Sequence, residues 1–234
     1  MAQMARVFLT CHTAPMCFSA TASFIAGGSL GAAGAITLRE AKTRSNIPLA
    51  ALPLLFGVQQ AIEGVVWISA GIPWLQAAAA YAYALFSHVL WPSYLPFAVM
   101  MAEPAGRRKS ILKGFLVLGI SVSIWLFSFI VRGPVSATLN VRGIIYHMNV
   151  PEIPYGLAAY VFVTCFCCFF SSHKFIRVFG LALLGSLAIA LWAYQEAFYS
   201  VWCFFAAILS GIIYAHLKQG QRLWPQAVRH TDRS

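Results

Sequence analysis

The segment that decides the fold runs from Leu52 to Trp67 and reads LPLLFGVQQAIEGVVW. It is apolar over almost its whole length, yet it contains two adjacent glutamines, Gln59 and Gln60, followed by Glu63. An ionisable group inside a long apolar segment is typical of a membrane-spanning helix that turns a polar face away from lipid. This interpretation requires the rest of the chain to have the composition of a membrane protein.

The composition of the whole chain meets that requirement. Of its 234 residues, 60% are hydrophobic and 9% are charged, too few charges for the polar surface of a soluble domain. Roughly 20 apolar residues cross a hydrocarbon core, and the apolar windows are continuous rather than alternating, which excludes a β-barrel. The sequence therefore predicts an all-α polytopic bundle of seven transmembrane helices, at about 19–38, 47–70, 75–101, 114–131, 155–171, 178–195 and 199–217.

The basic residues predict the orientation of these helices. Of the sixteen lysines and arginines, only Arg6, Arg132 and Arg142 fall on one side of the predicted membrane. Because basic residues are retained in the cytoplasm, we expect the amino terminus outside, the carboxyl terminus inside, and a location in the inner (plasma) membrane. The basic residues behind the net charge of +10 are then explained by their role in orienting the helices and by contact with anionic membrane lipids. Nucleic-acid binding is not expected.

The chain is expected to form one membrane domain over residues 16–217. Residues 1–15 are interpreted as an outer tail or as the product of a start codon placed too far upstream, and residues 218–234 as a basic cytoplasmic tail. Translation from Met16 followed by its removal would leave Cys17 as a free terminal thiol at the outer face.

Four separated motifs resemble an uncharacterised bacterial family of multi-pass membrane proteins. They are MCFSATASF, LPLLFGVQQAIEGVVW, LWPSYLPFAVMMAEP and SVWCFFAA. The resemblance extends from Met16 to about Leu217, and it implies Met16 as the natural start. It implies no activity, because the family has none assigned.

The polar residues of the second helix lie on one face. Gln59, Glu63 and Trp67 are one helical turn apart, and Gln60 joins them at three residues before Glu63. At 1.5 Å per residue, Glu63 lies about 10 Å below the outer end of the helix. Lipid offers no hydrogen bonds at this depth, so we expect the stripe to face protein or water.

The third helix is expected to oppose this stripe with His88. Pro92 lacks the amide that would bond to the carbonyl of His88, and Pro96 repeats the effect one turn later. Two interpretations stay open. The freed carbonyls could line a cavity, as in the broken helices of transporters, or Ser87 or a neighbouring helix could satisfy them.

The outer junction of the sixth and seventh helices contains Gln195 and Glu196 among aromatic residues, namely Trp192, Tyr194, Tyr199 and Trp202. One interpretation is an interfacial aromatic belt with an exposed turn. The other is that Glu196 closes the mouth of a pocket that has Glu63 in its wall and His88 at its floor.

The first helix is expected to pack closely through small residues. Gly27, Gly31 and Ala35 form its small-residue face. Its polar start lies at the same outer level as the predicted pocket and consists of Ser19, Thr21 and Ser23.

The longest segment outside the membrane is RGPVSATLNVRGIIYHMNVPEIP, residues 132–154. Its β-branched runs flank Asn140 to Gly143, which predicts a short hairpin. It is interpreted either as a connector on the membrane surface or as a lid that presents Arg142, His147 and Glu152 to a ligand.

Three functions are compatible with these residues. The first is binding or transport of a small ligand, ion or proton, with Gln59, Gln60, Glu63, Trp67, His88 and Glu196 as the binding residues. The second is an intramembrane enzyme that uses Glu63 and His88 as acid and base or as metal ligands. The third is a structural module in which the stripe joins helices. The cysteines lie at different depths and predict no metal site, and no residue pattern indicates a cofactor.

Overall fold

The computed structural model describes residues 19–140, 143–150, 154–193 and 198–214. Within these residues the chain forms seven helices and one β-hairpin, and each predicted apolar window contains a helix. The helices are α1 (Ala20–Glu40), α2 (Arg44–Ile68), α3 (Pro73–Ala102), α4 (Arg107–Ile130), α5 (Pro154–Cys165), α6 (Lys174–Ala193) and α7 (Phe198–Leu209). The two predicted tails, together with Arg142, Glu152, Tyr194, Gln195 and Glu196, lie outside the described residues.

Five helices, α1, α2, α3, α4 and α6, are long and apolar enough to cross a membrane, while α5 and α7 are shorter apolar helices. The side chains on the outer faces of the helices also fit a membrane environment. On α4, the exposed residues Val117 and Ile124 are seven positions apart and the exposed Val131 follows at the same spacing just after the helix, whereas the polar Ser123 is buried. A helix that exposes large apolar side chains over this length is adapted to lipid, which indicates a membrane protein.

Small residues bring α1 against α2. A Cβ added to Gly34 would lie 2.5 Å from the backbone nitrogen of Leu54, and one added to Gly57 would lie 2.8 Å from the nitrogen of Gly31. Gly27 packs on the same face, as predicted. The prediction for Ala35 is wrong, because that residue is exposed and Gly34, seven residues after Gly27, takes the inward position.

The regular α-helical pattern of α3 is interrupted shortly before Pro92. Leu85–Leu90 forms a π-helical turn, and Pro92 follows at the start of the regular helix that resumes at Trp91. Neighbouring helices satisfy two carbonyls of this turn. The hydroxyl of Tyr160 on α5 donates to the carbonyl of Ser87 at 2.6 Å, and Ser123 on α4 donates to the carbonyl of Val89 at 2.7 Å. The two open interpretations concern the carbonyls of His88 and Pro92, which these two bonds do not involve, so the choice between them stays a prediction.

The predicted hairpin is confirmed. Strand β1 (Ser136–Asn140) pairs antiparallel with β2 (Gly143–His147), and Asn140 lies opposite Gly143. Gly143 has φ +141°, which a side chain rarely tolerates. The buried residues Ile144 and Tyr146 face the bundle, whereas His147 is exposed and hydrogen-bonds to Thr138. The hairpin therefore packs into one end of the bundle.

At the opposite end, Glu103 joins three helices. It is buried just after α3, where its carboxylate accepts hydrogen bonds from the Ser171 hydroxyl at 3.0 Å and the Ser172 amide at 2.9 Å. Lys109 of α4 donates to the Glu103 carbonyl at 3.0 Å. These contacts fix the turn between α3 and α4 against the start of α6.

Candidate functional site

The polar stripe of α2 faces protein, as the sequence predicted. Gln59, Gln60 and Glu63 are 0%, 1% and 2% exposed, and Trp67 is half-buried on the same side of the helix. Helix α7 and strand β2 pack against each other beside this part of α2. The burial of three strongly polar side chains at this junction makes it the candidate site.

Glu63 is held by two neighbours. One carboxyl oxygen accepts a hydrogen bond from the hydroxyl of Ser200, and the other accepts one from Nε2 of Gln60 at 3.3 Å. Ser200 lies on α7 and is fully buried, so it links the two helices at the site. Ser200 was not predicted from the sequence. Its position at the first residue of the motif SVWCFFAA was a signal that could have indicated it.

Gln59 is oriented by a tryptophan of α3. The indole nitrogen of Trp91 donates to Oε1 of Gln59 at 2.7 Å, and the Trp91 ring stacks on Phe56 with ring centres 4.0 Å apart. Because an indole nitrogen can only donate, this bond assigns the oxygen and the nitrogen of the Gln59 amide. The Nε2 group of Gln59 is therefore left to bond elsewhere.

Four polar atoms at this junction are buried and have no hydrogen-bond partner among the described residues. They are Nε2 of Gln59, Oε1 of Gln60, the indole nitrogen of Trp67 and the hydroxyl of Tyr146. Buried polar atoms in native proteins almost always have a protein or solvent partner. We refer to Gln59, Gln60, Glu63, Trp67, Tyr146 and Ser200 as the polar cluster.

Tyr146 lies on strand β2 of the hairpin and was not predicted from the sequence. Its ring stacks on Tyr83 of α3 with ring centres 4.2 Å apart. Burial, together with the nearby Glu63 and Cys203, raises the pKa of Tyr146 well above its ordinary value. The hydroxyl is therefore protonated at neutral pH, so it can both donate and accept a hydrogen bond.

His88 is buried in the π-helical turn of α3, where Nδ1 lies 2.7 Å from the hydroxyl of Ser87. Both His88 and Glu63 belong to the described part of the chain, and they do not hydrogen-bond to each other. The structure thus gathers Gln59, Gln60, Glu63 and Trp67 from the predicted set, while Glu196 lies outside the described residues.

An apolar cavity of about 30 Å³ adjoins the polar cluster. Its lining includes Trp91, which bonds to Gln59, and Cys203, which lies beside Glu63 and Tyr146. Neither Glu63 nor His88 lines this cavity, so the outer pocket with these two residues in its wall and floor stays a prediction.

Two aromatic residues of the predicted belt differ in how exposed they are. Trp192, at the end of α6, is exposed as predicted. Trp202 is buried, donates to the carbonyl of Leu183 at 3.3 Å and lines the cavity. Its assignment to the belt is wrong, because α7 turns this residue toward α6 rather than toward the interface.

The described cysteines are free thiols, and all four of them, Cys165, Cys167, Cys168 and Cys203, are buried. Among the residues that the structure describes, no group of three or more histidine, cysteine, aspartate or glutamate side chains could hold a metal ion.

Comparison with known proteins gives one match. Residues 16–228 match the family described as a family of unknown function (DUF6629). No curated protein and no solved structure matches the chain. The match contains all four motifs on which the resemblance to an uncharacterised family depends. Because it covers most of the sequence, the chain belongs to the family of unknown function DUF6629.

Proposed function

We propose that this protein crosses the plasma membrane seven times, with its amino terminus outside and its carboxyl terminus in the cytoplasm, and that it binds a small ligand at the polar cluster. Transport of that ligand is the cellular role that best fits a binding site inside the bundle.

The distribution of side chains over the two ends of the bundle supports seven spans. Trp74, Tyr155 and Trp192 are 72%, 82% and 85% exposed, and they lie at the start of α3, the start of α5 and the end of α6, which are the helix ends predicted to face outside. Exposed aromatic rings of this kind are typical of a membrane interface. The opposite helix ends contain most of the described basic residues, namely Arg39, Lys42, Arg44, Arg107, Arg108, Lys109, Lys113, Lys174 and Arg177.

The observation that supports ligand binding is the group of four unpaired polar atoms beside Glu63. Each buried polar atom without a partner costs on the order of 1 to 3 kcal/mol, and four together would consume much of the stability of a small bundle. A bound molecule that pairs with them removes this cost. Because the atoms come from α2 and β2, such a molecule would also hold the hairpin against the bundle.

The hydroxyl of Tyr146 provides a direct test. We expect Tyr146→Phe to lower the free energy of unfolding by about 1 kcal/mol, because the variant loses a hydrogen bond to the bound molecule. The measurement is thermal or denaturant unfolding of the full-length protein, purified gently enough to retain the ligand. Tyr94→Phe is the matched control, because the Tyr94 hydroxyl donates to the carbonyl of Pro48 at 2.9 Å and a similar loss is expected there.

A Tyr146→Phe protein as stable as wild type, or more stable, would contradict the proposal. That result would mean that the hydroxyl is buried with nothing bound to it. The polar residues of α2 would then have only a packing role between helices.

A further inference from the structure

The four unpaired atoms also restrict the chemistry of the ligand, an inference that depends on the proposed function. Two of them can only donate. The Trp91 bond fixes Gln59 so that Nε2 is its remaining donor, and the indole nitrogen of Trp67 has no accepting lone pair. The ligand must therefore present acceptor atoms, and a bare metal cation or a proton would leave both donors unpaired.

An anion does not fit either. The same junction contains the unpaired carbonyl oxygen of Gln60, whose lone pairs would face an anion, and the carboxyl group of Glu63, which would repel an anion whenever it is ionised. No lysine or arginine occurs in the apolar segments of α2, α3 and α7, which are residues 47–68, 73–102 and 198–214. The Gln60 oxygen instead requires a donor on the ligand.

The adjoining cavity supplies a place for an apolar group. It is lined by hydrophobic and aromatic side chains, among them Phe56, Trp91, Leu95 and Trp202. The Trp91 indole connects the two regions, because its nitrogen bonds to Gln59 while its ring lines the cavity. A ligand whose polar head lies in the polar cluster could therefore place an apolar group in this cavity.

We propose that the ligand is a small neutral amphiphile, with a hydroxyl, carbonyl or amide head in the polar cluster and a short hydrocarbon group in the adjoining cavity. The head accepts hydrogen bonds from Gln59 and Trp67 and donates one to Gln60. The Tyr146 hydroxyl closes the site from the hairpin side and pairs with whichever polar atom of the head remains.

Three probes of similar length and different charge test this assignment. They are butyramide, which is neutral, butylammonium and butyrate, each titrated against the full-length protein in lipid nanodiscs and followed by saturation-transfer NMR. Empty nanodiscs measure partition into lipid. We expect butyramide to give saturable, protein-dependent binding that neither ion gives at the same concentrations.

The variant Tyr146→Phe is expected to weaken butyramide binding by about threefold to tenfold, the equivalent of one hydrogen bond. Tyr94→Phe should leave the affinity unchanged, because its hydroxyl bonds to Pro48 and not to the polar cluster.

Saturable binding of butylammonium or butyrate in preference to butyramide would overturn the neutral amphiphile and leave the proposed binding function in place. Failure of all three probes to saturate would also overturn it. In that case the unfolding comparison of Tyr146→Phe with Tyr94→Phe decides the proposed function independently.

Discussion

Replacing Gly119 by alanine should destabilise the protein by about 2 to 3 kcal/mol, the upper range for overpacking a well-packed core. A Cβ at this position of α4 would lie 2.0 Å from the carbonyl oxygen and 3.0 Å from the carbonyl carbon of Pro92. Both are backbone atoms, so no side-chain rotation can relieve the contact. Helices α3 and α4 must separate, which weakens the bond from Ser123 to the carbonyl of Val89.

Gly114→Ala on the same helix is the control. A Cβ there meets no atom within 4 Å, so the substitution should be neutral or stabilise the helix by up to about 1 kcal/mol. The measurement is reversible unfolding of both variants in the same detergent or bilayer. Equal stability of the two variants would show that α4 does not contact the carbonyl of Pro92 as described.

Reporter fusions should give an all-or-none result for topology. A reporter that works only in the cytoplasm is expected to be active when it is attached after Ser234 or after Arg44. A reporter that works only outside the cytoplasm is expected to be active when it is inserted after Gly71 or near Asn140. The physical reason is the excess of lysine and arginine on one side of the predicted spans.

The opposite pattern at all four sites would reverse the orientation and keep seven spans. Activity on the same side at Arg44 and Gly71 would show instead that α2 does not cross the membrane. Either result would move the polar cluster to a different depth relative to the outer surface.

The helices and the polar stripe could be predicted from the sequence because both follow from local patterns. Long apolar windows identify the spans without reference to any neighbour. The spacing of Gln59, Glu63 and Trp67 places them on one face of α2 in any helix, and the cost of polar groups in lipid turns that face inward. The hairpin follows from the β-branched runs on either side of Asn140 and Gly143.

The partners of the stripe could not be predicted, because they depend on which helix faces meet. Ser200 and Tyr146 are distant from Glu63 in the chain and reach it only after α7 and the hairpin pack against α2. The sequence gives the periodicity of α7 but not its rotation, and for that reason Trp202 was assigned to the interface. The donor to the Ser87 carbonyl, in the π-helical turn before Pro92, likewise lies on another helix, at Tyr160.

The most direct test of the central claim is a density map of the full-length protein in lipid nanodiscs, at a resolution that shows ordered water. We expect non-protein density larger than a water molecule, within hydrogen-bond distance of Gln59, Trp67 and Tyr146 and extending toward Trp91. A map in which water alone lies at these side chains, or in which they pair with one another and leave no density between them, would contradict the account.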